Sequence, residues 1–122
     1  MKTITCNIDE FKSMFMDYRS IMDSIHSKLM DGIHEFEKTL LKKSQIFITC
    51  NKDSSLWIKK LQCIGVFEPR ERINYDGFSK NCIGLLDGHE VCVNDDLGSN
   101  AIFISDKITI DNPDTVMVSL KV

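Results

Sequence analysis

Residues 8–43 read IDEFKSMFMDYRSIMDSIHSKLMDGIHEFEKTLLKK, and the apolar side chains fall at Phe11, Phe15, Tyr18, Met22, Ile25, Leu29, Ile33, Phe36 and Leu40. Spacings that alternate between three and four are the helical period. Asn7, with Glu10 three residues on, suits a capped first turn, and Lys42-Lys43 suit the negative end of the helix dipole. The pattern predicts one helix over 7–43, about 54 Å long at ~1.5 Å rise per residue. A compact chain of 122 residues has a radius of gyration of about 14 Å. Such a helix overhangs its own domain, and Gly32 is its weak point, costing about 1 kcal/mol relative to Ala.

A coiled coil does not fit the register. With Phe15, Met22, Leu29 and Phe36 at a positions, Phe11, Tyr18 and Ile25 occupy d, but the next d positions are Gly32 and Thr39. Beyond Leu29 the stripe drifts to Ile33 and Leu40, as on a straight helix. The expectation is a single helix lying along a sheet.

The rest of the chain is strand-rich. Gln45 to Cys50 is short and β-branched, a buried strand. Asn51-Lys52-Asp53-Ser54 supplies a turn and cap for a short helix from Ser55 to about Leu61. Residues 67–79, with a proline, a glycine and mixed charges, are expected as an irregular loop. Cys82 to Leu86 and Glu90 to Val93 flank Asp87-Gly88, the signature of a hairpin with a type I′ turn. Ala101 to Ile104, Lys107 to Ile110 and Thr115 to Val122 follow as strands, the last alternating Val116, Val118, Leu120 and Val122 with Met117, Ser119 and Lys121. The predicted fold class is α+β: a single domain with a long N-terminal amphipathic helix (7–43) packed on a mainly antiparallel sheet, with one additional short helix in 45–122.

Composition narrows the function classes. Hydrophobic residues make up 43% and charged residues 27%, enough apolar content to fold. The 15 Lys+Arg against 18 Asp+Glu give a net charge of −3 with the basic residues scattered. No electrostatic footprint for nucleic acid or a membrane surface results. Apolar runs are strand-sized and Met1-Lys2-Thr3-Ile4 has no signal-peptide core, so the expectation is a soluble, unexported chain. Cys6, Cys50, Cys63, Cys82 and Cys92 are odd in number and contain no Cys-x-x-Cys pair, which argues for reduced thiols over a disulfide framework or zinc site.

Chemistry-bearing motifs are sparse. His26, His34 and His89 have no sequence relation to a cysteine that would activate it. Asp95-Asp96, Asp106, Asp111 and Asp114 lack calcium-loop spacing and stand where turns favour Asp. Gly84, Gly88 and Gly98 follow hairpin spacing and do not open a helix, so there is no phosphate loop. No catalytic residue, cofactor or metal is therefore predicted. Arg70 and Arg72 beside Phe67 and Pro69 form an exposed-looking group with residue types common at protein contacts. With Met22 and Leu29 on the helix stripe, Phe67, Arg70 and Arg72 are the candidate interface residues.

The order of elements resembles one family. Ile46-Phe47-Ile48-Thr49-Cys50-Asn51 after a long helix, a helix from Leu56 to Leu61, and Gly65-Val66-Phe67-Glu68 look like the step from spine helix to axial domain in tailed-phage major capsid proteins of the myovirus type. The stretch Ile83-Gly84-Leu85-Leu86-Asp87-Gly88-His89-Glu90-Val91-Cys92-Val93-Asn94, followed by Ala101-Ile102-Phe103-Ile104, is similar to that family's hairpin and next strand. The family's extended N-terminal arm and long hairpin loop have no counterpart here. The resemblance implies a non-enzymatic virion subunit, a capsid-protein fragment or reduced relative, made in the host cytoplasm and assembling with itself or with larger phage structural proteins. The alternative expectation is a small cytosolic adaptor or inhibitor that dimerises through its long helix.

Overall fold

The structure, a computed structural model, describes residues 1–40, 45–72 and 81–122. Its first element is a strand, β1 (Lys2–Asn7), built from the β-branched run Thr3-Ile4-Thr5. Helix α1 (Ile8–Ser13) follows at once, capped by the Asn7 side chain, whose Oδ1 accepts from the Glu10 amide at 2.9 Å. After α1 the chain turns at Met14–Asp17 and restarts as α2 (Tyr18–Glu37).

The expected 7–43 helix is thus corrected to two helices. Phe15 adopts a left-handed backbone (φ 55°), which ends helical propagation. Asp17 then caps α2 by accepting from the Ser20 amide at 2.7 Å. Asp17 also sits below its usual carboxylate pKa, chiefly because of that backbone hydrogen bond. Phe15 fits the helical spacing yet is 95% exposed, so the periodicity of Phe11, Phe15 and Tyr18 crosses a break without sharing a face. At 20 residues α2 is about 30 Å long. It lies within the domain and has no overhang. Gly32 does not interrupt it, and Lys42-Lys43 lie outside the described residues.

Strands β2 (Phe47–Cys50), β3 (Phe67–Pro69), β4 (Cys82–Leu86), β5 (His89–Val93), β6 (Ala101–Ser105) and β7 (Val116–Lys121) join β1 in a seven-stranded sheet ordered β1-β7-β6-β2-β5-β4-β3. The β1–β7 and β2–β5 pairs are parallel and the others antiparallel. The predicted fold class, a long helix on a mainly antiparallel sheet, is replaced by a sheet-rich mixed fold carrying, among the described residues, three short α-helices, the third being α3 (Lys52–Lys60). The cap of α3 is Asn51, whose Oδ1 accepts from the Ser54 amide, so the helix starts earlier than Ser55. A 3₁₀ turn at Leu61–Ile64 extends it.

Lys107 to Ile110 is not a strand. Asp106 accepts from the Asn112 amide side chain, Asn112 Oδ1 accepts from the Asp114 amide, and the Thr115 hydroxyl donates to the Asn112 carbonyl. These local bonds offer the backbone an alternative to a ladder. The predicted hairpin is present, with Asp87 and Gly88 both at positive φ (48° and 85°) between β4 and β5.

Helix α2 packs across β1, β6 and β7, and its stripe of Met22, Ile25, Leu29, Ile33 and Phe36 closes the core over Ile104, Val116 and Val118. Gly32 lets the helix approach closely. A Cβ there would stand 2.5 Å from the Ile104 Cδ1 and 3.1 Å from a Val118 methyl. At its other side α2 is tied to the hairpin by His26 Nε2, 2.5 Å from the Asp87 carboxylate.

Two outcomes are expected. Phe15→Gly removes the left-handed strain without losing packing, and should raise stability by about 0.5–1 kcal/mol in denaturant unfolding. Gly32→Ala improves helix propensity but overpacks the Ile104 contact, for a net loss of about 1–2 kcal/mol. Adding Ile104→Val removes the obstructing methyl. A double-mutant cycle should show favourable coupling of about 1 kcal/mol, and strict additivity would refute the steric account.

Candidate functional site

The end of α3, its 3₁₀ extension and the β3–β4 edge enclose a cleft of about 420 Å³. Its apolar lining comes from Phe67, Pro69 and Ile83, and its charged rim from Lys59, Arg70 and Glu71, with Gln62 and Cys82 completing the wall. Each element supplies these groups for a local reason. Lys59 falls in the last turn of α3, where a cation favours the dipole. Pro69 ends β3, and the following 3₁₀ turn (Arg70–Arg72) brings the Arg70 guanidinium back to β4, where Nη1 donates to the Cys82 carbonyl at 3.1 Å.

Gly84 is the steric key to this edge. Without a Cβ it admits the Glu68 carbonyl and the Phe67 ring against β4. The register of β4 against β5 shifts between Cys82 and Gly84, and Ile83, on the less buried face of β4, lines the cleft.

Of the predicted interface residues, the structure brings Phe67 and Arg70 together here. Phe67 is 4% exposed and belongs to the core cluster, so only part of its ring is offered to the cleft. The Arg72 side chain lies outside what the structure describes. Met22 and Leu29 are placed elsewhere, at 1% and 0% exposure beneath α2. They are core residues, because the stripe that carries them is already spent on the sheet. Sequence reading missed Lys59, Gln62, Glu71 and Ile83: packing of α3 and its 3₁₀ turn on β3 brings in the first two, and the β3–β4 pairing brings in Ile83. The expected irregular loop at 67–79 in fact begins with this strand and 3₁₀ turn, and residues 73–79 lie outside the described set.

No family model, curated protein or solved structure matches the chain.

The thiols are mostly sequestered. Burial pushes Cys50 up to about 12 and, with the nearby Cys82, Glu90 and Cys50, Cys92 up to about 12. Burial also raises Cys6 and Cys82. Cys63 alone of the five is exposed. Among the described residues no hydrogen bond joins a histidine to a cysteine, His26 being held by Asp87. The turn carboxylates are likewise engaged, Asp95 with the Lys52 amide and Asp106 with Asn112. Among the described residues, no group of three or more His, Cys, Asp or Glu is placed to hold a metal ion. No described helix is long and apolar enough to cross a membrane.

Thiol reagents at neutral pH should label Cys63 at once and the other four cysteines only after denaturation. The folded-state pKa values of Cys50 and Cys92 exceed the ordinary value of 9.0. Their contribution to stability is therefore complete below pH 9 and is lost as pH rises toward 12, because the unfolded chain releases those protons first. Unfolding midpoints measured across this range should fall. Cys92→Ala should flatten the fall.

Proposed function

We propose that this protein is a non-enzymatic subunit that acts by docking on other protein chains through the β3–β4 cleft. The observation that supports this reading is the composition of the cleft. An apolar floor of Phe67, Pro69 and Ile83 can take an inserted side chain, while Lys59, Arg70 and Glu71 set its polar rim. Apolar centre, polar rim and an arginine anchor are the usual anatomy of a protein contact. The one thiol lining the cleft, Cys82, is shifted by burial toward its protonated form, which favours binding over nucleophilic chemistry there.

The setting we propose is a virion, and it rests on the part from Ile46 to Ile104 of the resemblance to tailed-phage capsid proteins, which spans roughly Phe11 to Ile110 of this chain. An overhanging spine helix is no longer part of the case, since α2 ends at Glu37. Docking is then through the sheet edge formed by β3.

A photo-crosslinking residue at Ile83, in protein expressed in its native host, should give one discrete protein adduct. The same residue at Glu37, on the far end of α2, should give none. Absence of an adduct at Ile83 would sink the docking reading. Mass spectrometry of purified phage particles tests the virion setting separately: the protein should be a stoichiometric component, and its absence from particles would leave only the adaptor alternative. Ile83→Asp should abolish the adduct made from a neighbouring probe at Gln62 while shifting the unfolding midpoint little, because Ile83 is only partly buried.

A further inference from the structure

The two edges of the sheet are unlike. At one edge β3 has three residues and ends in Pro69, which has no amide proton to offer. At the other edge β1 runs six residues without proline. Thr3 and Thr5 are exposed there, and α1, which leaves β1 at Asn7, turns back against α2 and β7. Lys2, the charge that could guard this edge, is bound to Glu35 of α2 at 2.6 Å.

The hydrogen-bond phase of β1 follows from its neighbours. The Leu120 amide donates to the Asn100 carbonyl, so Leu120, Val118 and Val116 direct their backbone groups toward β6. Met117, Ser119 and Lys121 therefore face β1. In a parallel pair, a residue bonds to the two neighbours of its partner. Lys2, Ile4 and Cys6, the partners of Val116, Val118 and Leu120, thus point their amides and carbonyls at β7. Thr3 and Thr5 point theirs away from the sheet. Their outward amides and carbonyls are spaced to receive another strand.

We infer that β1 pairs antiparallel with β1 of a second copy about a two-fold axis at Ile4, joining two sheets into one. Thr3 then opposes Thr5 of the second copy and each pair exchanges both backbone hydrogen bonds. Ile4 meets its own symmetry mate as a non-hydrogen-bonded pair, and Lys2 opposes Cys6, so no like charges face each other. A two-fold interface of this kind is self-complementary and closed. The sequence of β1 supports it, since its β-branched Thr3-Ile4-Thr5 centre suits cross-strand pairing and nothing in it blunts the edge. This surface is separate from the β3–β4 cleft and stands independently of it.

Sedimentation equilibrium from micromolar to near-millimolar protein should show a reversible monomer–dimer equilibrium. Thr5→Pro deletes an amide that has no partner among the described residues of one copy. It should leave the circular dichroism spectrum and unfolding midpoint nearly unchanged while weakening dimerisation roughly tenfold or more, and Thr5→Val should not weaken it. Ile4→Cys should form an intermolecular disulfide across the axis, because Cα atoms of such pairs lie about 4.5 Å apart. This decides the matter even if Thr5→Pro fails to fold. A chain monomeric throughout the range, a dimer indifferent to Thr5→Pro, or an Ile4→Cys variant that stays uncrosslinked under oxidation would each overturn the pairing. Binding of only a different protein's strand at this edge would overturn it too.

Discussion

The contact on which the rest of the molecule depends is the close approach of α2 to β6 and β7 at Gly32. With no side chain at that position, the helix backbone sits against Ile104 and Val118, and the stripe from Met22 to Phe36 reaches the sheet along its whole length. Burial of five large side chains on that stripe contributes about 1.5–3 kcal/mol each. It also explains why Met22 and Leu29 cannot serve an interface. Their surface is already removed from water.

That packing sets the orientation of everything else. With α2 across β1, β6 and β7, the α3 segment and its 3₁₀ turn are left to cover the β3 end, where their last residues form one wall of the cleft. The His26–Asp87 contact pins the hairpin turn to the same helix, so the β4–β5 hairpin and the cleft it borders are held by α2 from a distance. Among the described residues β1 has a single strand neighbour, β7. The two edges of the sheet therefore differ, one ending in proline and a 3₁₀ turn and the other running six residues without proline.

Where sequence reading succeeded, the cause was local. The hairpin was legible in Asp87-Gly88, the α3 region in Asn51 to Leu61, and the last strand in its alternation. Asn7 was legible as a cap, but of a helix of six residues. The failures were of two kinds. The helical spacing of Phe11, Phe15 and Tyr18 persisted across a left-handed residue, which periodicity cannot register. Lys107 to Ile110 has strand composition, but Asp106 and Asn112 take its neighbourhood into a hydrogen-bonded turn. For the candidate site, Phe67 and Arg70 were found as residue types, whereas Lys59 and Ile83 carry no local signal that would single them out.

By itself, the sequence determined the identity of the short-range elements and the apolar stripe of α2, because capping, turn chemistry and periodicity act over a few residues. Tertiary structure alone decided that β1 joins β7 in parallel and that β3 pairs with β4 beside the cleft. The physical reason is sequence separation. Lys2 and Val116 are register partners from opposite ends of the chain, and no short-range pattern encodes which distant strand a given one will meet. That the Thr3 and Thr5 amides face away from β7 follows from that pairing and from nothing nearer.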